Sequence, residues 1–290
     1  MRGGVETFAR NLELIFRKVH YMTPATLDLE LIRAERLPVI CDNQWVTDLP
    51  ESIPAIGFQH GVAFKKLLAL RERGTLDLAR RQARAARRKN TLWVACARWV
   101  GETFGRLHGN GAAHIVHYPV NLERFDANRS GADSRLVLHD GRTPHKGSLV
   151  YPWIRAAFPD FRFEPLDCAP ADVADRMRQG GAFLHLSSYE GNSVVCNEAM
   201  AMNLPCLFTE VGLMLDRFPL DVSVVPRSYV YGPLARLRRG ALLAKVGDFL
   251  ASLERRRYEP RPWVEANASI EVARTRWRAA MHSFDSLRFE

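Results

Sequence analysis

The stretch Leu184–Gly212, LHLSSYEGNSVVCNEAMAMNLPCLFTEVG, constrains the fold more than any other part of this chain. It opens with apolar residues that end in two serines, the pattern of a strand running into a loop. Glu190-Gly191-Asn192-Ser193 is the turn. Val194 to Met202 is predicted helical with Ser193 as its N-cap, and Asn203-Leu204-Pro205 stops it. Cys206-Leu207-Phe208 starts another strand. In an open α/β sheet, ligands bind at the carboxyl edge of the strands. Glu190 falls in the loop at that edge, and Glu198 lies on the helix that follows. Gly191 lets a ligand approach the backbone, and the helix N-terminus at Asn192-Ser193 favours an anion. A carboxylate nearby can accept hydrogen bonds from vicinal sugar hydroxyls. The plain alternative is an ordinary strand–loop–helix–strand unit with two solvent glutamates.

The order of residues Ser187, Glu190-Gly191, Glu198-Ala199-Met200-Ala201, Pro205, Thr209 and Gly212 resembles the donor-site signature of the retaining GT-B glycosyltransferases, specifically glycosyltransferase family 4. Asn203 stands where that family usually has glycine, and asparagine also tolerates a left-handed helix end. The resemblance implies two Rossmann-like domains with parallel sheets facing across a cleft. It places an N-terminal, acceptor-side domain over 1–130 and a nucleotide-sugar-binding domain over 131–290. A last helix over about 263–282 crosses back to the first domain.

Composition bounds the alternatives. At 290 residues the chain can hold two domains, and its 47% hydrophobic content supplies a core without membrane burial. No apolar run is long enough to span a bilayer. The N-terminus MRGGVETFARNLELIF carries charges at its apolar positions and does not read as a signal peptide. The five cysteines are scattered, with no CxxC pair, so neither a disulfide framework nor a zinc site is supported. A cytoplasmic location is the default expectation. The net charge of +9 favours anionic partners.

Along the chain, Phe8, Leu12, Ile15 and Phe16 form a helical pattern, and Val19–Met22 reads as a short strand. By the resemblance, Gly3-Gly4 is the glycine loop whose amides face the donor diphosphate. Only Met1 and Arg2 precede it, so the first domain is expected to lack its first strand, by loss or by truncation. Pro38–Cys41 and Pro54–Phe58 read as strands. The second runs into Gln59-His60-Gly61, where the family's His-Gly pair contacts the donor sugar; the alternative is a His capping the helix at Val62–Leu70. A helical pattern over Leu76–Lys89 carries Arg80, Arg81, Arg84, Arg87, Arg88 and Lys89 on a basic face. Its readings are an anionic membrane dock over 80–89 or a solvated face. Nucleic acid is disfavoured, because the run has no interleaved aromatics and no nucleic-acid motif.

Leu92–Cys96 and His114–Val120 read as further strands, and Asp126–Ser134 as the linker. Arg135–His139 is a strand ending in Asp140-Gly141-Arg142-Thr143-Pro144-His145-Lys146-Gly147. This resembles the family loop in which arginine and lysine neutralise the donor diphosphate. Two cations four residues apart at a strand end, with glycines beside them, suit that task. Leu234–Arg256 looks helical with an interruption at Gly240, and Trp263–His282 reads as one terminal helix.

The reading is a retaining glycosyltransferase of the hexosyltransferase kind, moving a sugar from a nucleotide-sugar donor to a carbohydrate or lipid-linked acceptor. Polysaccharide or glycolipid synthesis at the inner face of the membrane is the implied setting. Arg142 and Lys146 stabilise the leaving diphosphate. The turn at Gly191, Asn192 and Ser193 offers amides to the same oxygens. Glu190 holds the sugar ring, Glu198 the ribose, and His60 lies near the reacting centre. The resemblance implies no metal, and the donor serves as co-substrate, not as a resident cofactor. The rival readings are a degenerate, non-catalytic nucleotide-sugar binder, or a sugar-nucleotide epimerase or phosphorylase on the same fold.

Overall fold

The computed structural model describes residues 4–70 and 74–285. These divide into two α/β units; residues 4–7 group with the second, and from Phe8 on the chain passes from the first to the second and back again.

The first unit takes Phe8–Tyr118 and residues 270–285. Helix α1 (Gly4–Asn11) tightens into a 3-10 turn at Leu12–Leu14, so the expected apolar face stops short of Phe16. Val19–Met22 forms no strand, contrary to expectation. A strand needs a neighbour to take its backbone hydrogen bonds. These residues instead line a cavity of about 450 Å³ together with Phe8, Leu12, Val39 and Ile40. Helix α2 (Leu29–Glu35), not anticipated from the sequence, starts at Asp28, whose carboxylate accepts from the Leu31 amide at 2.9 Å. The sheet then builds from β1 (Val39–Asp42), β2 (Ala55–Gln59), β3 (Thr91–Ala95) and β4 (His114–Ile115), parallel throughout and in the order β1-β2-β3-β4. Helices α3 (Ala63–Leu70) and α4 (Gly74–Ala85) join β2 to β3, and α5 (Arg98–His108) joins β3 to β4. Among the described residues no strand precedes β1, which leaves it at the sheet edge. The strand expected over His114–Val120 shortens to two residues, since Pro119 has no N–H to give a ladder.

The second unit takes residues 4–7 and Pro119–Ser269. Its order of elements is β5 (Asp133–His139), α6 (Tyr151–Ala157), β6 (Arg162–Pro165), α7 (Val173–Gln179), β7 (Gly180–His185), α8 (Val194–Ala201), β8 (Cys206–Thr209), β9 (Ser223–Val225), α9 (Arg227–Val230), α10 (Arg239–Ser252) and α11 (Arg261–Asn267). The five strands are parallel in the order β6-β5-β7-β8-β9. Both faces are buried, as side-chain alternation in a covered parallel sheet requires. Leu136, Leu138, Phe183 and Phe208 face one apolar layer with Met200 and Trp263. Val137, Leu184 and Leu207 face the other with Ile154 and Phe249.

Three expected boundaries move. The linker ends sooner, because β5 begins at Asp133. Gly240 sits in the first turn of α10 and interrupts nothing. The single terminal helix is two, α11 and α12 (Ile270–Phe284), and the break at Ala268-Ser269 is where the chain leaves the second unit. There the Val120 amide donates to the Ala268 carbonyl at 2.8 Å, and Val120 bridges Ser269. In the first unit, Trp277 of α12 is fully buried and stacks on Phe58 at 5.7 Å.

Candidate functional site

The chain order of the second sheet fixes where a site can form. From β5 the chain moves outward to β6, then returns to β7 on the other side of β5. The crossovers therefore diverge between β5 and β7, and the crevice at the carboxyl ends of those strands is the place where doubly wound sheets bind ligands. The loop Asp140–Gly147 leaves β5 there, and Leu186–Ser193 leaves β7 beside it.

Five charged or titratable side chains meet at this edge. Arg142 donates to Asp140 Oδ1 from Nε (3.0 Å) and Nη2 (2.8 Å). Lys146 Nζ lies 2.5 Å from Glu190 Oε1 and 3.4 Å from Asp140 Oδ2. His185, the last residue of β7, places Nε2 3.0 Å from the same Glu190 oxygen and Nδ1 3.7 Å from Asp140 Oδ2. Burial works against the charge on Glu190, but Lys146 and His185 outweigh it and hold the carboxyl well below the usual range. The sequence reading thus finds Arg142, Lys146 and Glu190 together, and misses Asp140 and His185. Asp140 directly follows a strand, and a histidine inside an apolar strand is itself unusual, but neither mark says what the side chain faces.

Backbone and hydroxyl contacts hold the two loops against each other. The Ser188 amide donates to the His145 carbonyl at 2.8 Å, and Ser187 Oγ lies 3.1 Å from the same oxygen. Tyr231 donates from one hydroxyl toward the carbonyls of Leu186 (2.7 Å) and Pro144 (3.0 Å). Gly147 has φ +92°, and a Cβ there would lie 2.7 Å from the Leu186 carbonyl oxygen. Gly212 has φ +60°, and a Cβ there would lie 2.7 Å from Glu190 Cβ. Only glycine accepts both the left-handed backbone and that approach.

Glu198 sits one helix away and is treated differently. It is 9% exposed on α8, and its side chain has no hydrogen-bond or ion-pair partner among the described residues. Burial pushes its carboxyl up to about 8, with Arg124 opposing weakly from a distance. Ser193 occupies the N-cap position, but its hydroxyl makes no capping bond, contrary to expectation. The first-turn amides of α8 therefore have no side-chain cap from Ser193. Asn203 does adopt the left-handed conformation, at φ 52°.

In the first unit, His60 follows β2 and has both ring nitrogens engaged. Nε2 is 2.7 Å from Asp42 Oδ1, and Nδ1 is 2.7 Å from the Tyr118 hydroxyl. Phe8 and Phe58 flank the ring at 5.1 and 4.8 Å. Gln82 of α4 pins the turn, donating to Gln59 Oε1 and the Gly61 carbonyl and accepting from the Ala63 amide. Arg80, Arg81, Arg84, Arg87 and Lys89 are exposed. Arg88 leaves that face: it is 5% exposed and donates to the carbonyls of Pro50, Ile53 and Asn90 and to Thr91 Oγ1. Gly3 lies outside the described residues, and Gly4 opens α1. Among the described residues no three His, Cys, Asp or Glu side chains converge as metal ligands, and no helix is long and apolar enough to cross a membrane.

No protein-family model and no curated protein matches the chain. Solved structures do, and they define the fold as GT-B: two Rossmann-like α/β units, each on a parallel sheet. Sucrose-phosphate synthase from Thermosynechococcus elongatus is similar with a TM-score of 0.67 and 15% identity, over 87% of this chain and 74% of that one. A variant of S. aureus TarM in complex with Fondaparinux, alpha-GlcNAc-glycerol and UDP gives 0.63 and 11%, over 86% and 55%. Anabaena HepE in complex with UDP and glucose gives 0.56 and 13%, over 79% and 72%. At such identities the likeness is one of fold.

Proposed function

We propose that this chain is a glycosyltransferase that moves a sugar from a nucleotide-sugar donor to an acceptor hydroxyl. The observation that carries the reading is the convergence of Arg142, Lys146, Asp140 and Glu190 at the switch point of the second sheet. Two cations there suit a diphosphate whose negative charge grows as it leaves. The α8 amides add donors on the same side. Glu190 hydrogen-bonds the sugar ring, and Glu198 takes the ribose diol. No carboxylate is assigned as a covalent nucleophile, so transfer with retention proceeds on one face of the sugar. His60 meets the donor sugar in this reading, and to do so one of its ring nitrogens gives up Asp42 or Tyr118. HepE and TarM were solved with UDP, which makes UDP the first nucleotide to try. A thermal-shift panel of nucleoside diphosphates and their sugars, followed by an assay for diphosphate release on acceptor addition, tests the reading. A ligand that binds only the native state raises the melting temperature. A flat panel with no release from any donor overturns it.

The acceptor is proposed to be carbohydrate or lipid-linked, met in the cytoplasm at an anionic membrane surface during polysaccharide or glycolipid synthesis. Arg80, Arg81, Arg84 and Arg87 are exposed on or just beyond α4, and Phe64 and Leu68 expose apolar side chains beside Lys65 on α3. Each basic residue near such a surface contributes about 1 kcal/mol. Changing Arg80, Arg84 and Arg87 to glutamine is expected to release the protein from acidic liposomes without altering UDP affinity. Salt-insensitive, equal sedimentation of both proteins leaves the arginines as a solvated face.

A further inference from the structure

His185 has no assigned task in the reading above, yet it is one of the most enclosed side chains at the site, 3% exposed. Its ring faces groups from three elements. Asp140 and Lys146 come from the loop after β5, Glu190 from the loop after β7, and the Cys196 thiol from α8. Arg142 stands behind Asp140, and the Tyr231 hydroxyl lies in the same field as Glu190. Rings of Phe183 and Phe208 close the remaining sides, each with its centroid 6.4 Å away.

The geometry contains a conflict. Lys146 Nζ is shared between Glu190 and Asp140. If Lys146 binds a donor diphosphate, a phosphate oxygen must replace Glu190 as its near partner. Glu190 would then remain in an enclosed site, its side chain 14% exposed, without its lysine. A buried carboxylate stripped of its counter-ion protonates or moves toward water. His185 Nε2, 3.0 Å from the same oxygen, is placed to prevent this when the ring is protonated.

Resting on the donor-site reading, we propose that His185 is a positioning residue: as an imidazolium it keeps Glu190 ionised and aimed at the sugar when Lys146 turns to the diphosphate. Burial opposes charge on the ring, and the hydrogen bond to Glu190 counters it and helps hold the imidazole above its ordinary range. The histidine is then a fixed cation at neutral pH, not a titrating switch.

The test uses the full chain, with UDP as the probe. In wild type, the ring proton signal that disappears in His185→Asn is expected to stay unchanged between about pH 5.5 and 8.5, the window in which an ordinary histidine titrates. It is expected to stay so with UDP bound. In Glu190→Gln the same signal is expected to begin titrating within that window. These readings need no turnover, so they decide the ion pair even if no donor is found to react; that second result would overturn the transferase reading alone. In an active enzyme, His185→Asn is expected to lower kcat by about 10- to 100-fold, the weight of a hydrogen bond to a charged group, while UDP affinity changes little. Its acid limb in the kcat–pH profile should move up by about one unit or more, because Glu190 has lost a cation. His185→Lys should bring that limb back. A wild-type signal that titrates near neutrality overturns the proposal, as does an unmoved acid limb or a variant whose only defect is lost UDP affinity. If His185→Asn does not fold, the signal is assigned by its loss in His185→Lys, and the titration in Glu190→Gln still decides.

Discussion

Glu190 and Glu198 are the same residue eight positions apart, both largely buried, and the fold treats them in opposite ways. Glu190 lies at the loop edge between Lys146 and His185 and is held ionised. Glu198 lies on the apolar helix α8, its side chain has no hydrogen-bond or ion-pair partner among the described residues, and burial keeps it protonated up to about pH 8. Burial alone therefore does not set a carboxyl's charge; the cations within reach do. The loop carboxyl is charged and the helix carboxyl is neutral.

The largest expected effect breaks the charged side of this contrast. Replacing Arg142 and Lys146 together with alanine should weaken UDP binding by about a hundredfold or more and abolish transfer, since each is a charged hydrogen-bond donor. Circular dichroism should show an intact fold. Unchanged UDP affinity in calorimetry would remove the diphosphate assignment.

Glu190→Gln comes next. Turnover should fall by about 10- to 100-fold, with a smaller change in donor KM, as for a group that acts on the sugar. A change in KM alone would place Glu190 in ground-state binding only.

Glu198 supplies a smaller, sharper test. If the ribose diol is held by a carboxylate, UDP binding at pH 7 must release close to one proton from Glu198. Calorimetry in buffers of differing ionisation enthalpy reads this directly. Glu198→Gln should abolish that release and weaken binding. The same release in the variant would assign the proton elsewhere.

Stability gives the contrast a sign. Glu198 has a folded pKa of about 8 against an ordinary 4.5, so the unfolded chain ionises first and stability is lost as pH rises between those values. Glu198→Gln should therefore melt higher than wild type at pH 8 and similarly at pH 5. Glu190 is depressed, so its contribution is present above the ordinary carboxylate pKa and is lost as pH falls. Glu190→Gln should melt lower than wild type at pH 8. Melting shifts of the same sign in both variants would erase the distinction.

The smallest effect is Gly212→Ala. The left-handed backbone costs about 1 kcal/mol for a residue with Cβ, and the new methyl displaces Glu190. Turnover should drop while UDP affinity holds.

Much of the second unit was legible because strand, loop, helix and left-handed Asn203 each leave a local mark. Arg142, Lys146 and Glu190 were legible by spacing along two strand ends. Asp140 and His185 were not, because their importance comes from who faces them across β5 and β7, and pairing between strands is not written at either position. Arg88 looked like one more surface arginine; its burial depends on carbonyls from a loop some 35 residues away in sequence. Val19–Met22 has the composition of a strand, yet it lines a cavity beside β1 and does not pair with that edge. The break between α11 and α12 is invisible as periodicity, because both halves keep a helical pattern while packing in different units.

The bond between Val120 and Ala268 ties the second unit's entry to its exit, and this bears on how the protein is made. Residues 4–7 emerge first and 119–269 follow as an uninterrupted stretch, so everything described of that unit is out once Ser269 has been added. The first unit waits longer: Phe58 leaves the ribosome early, but Trp277, which stacks on it, comes after the whole of the second unit has emerged. The second unit can thus finish before the first, although most of the first precedes it in the chain. Throughout synthesis the nascent first sheet carries an uncovered aromatic surface of the kind that recruits chaperones.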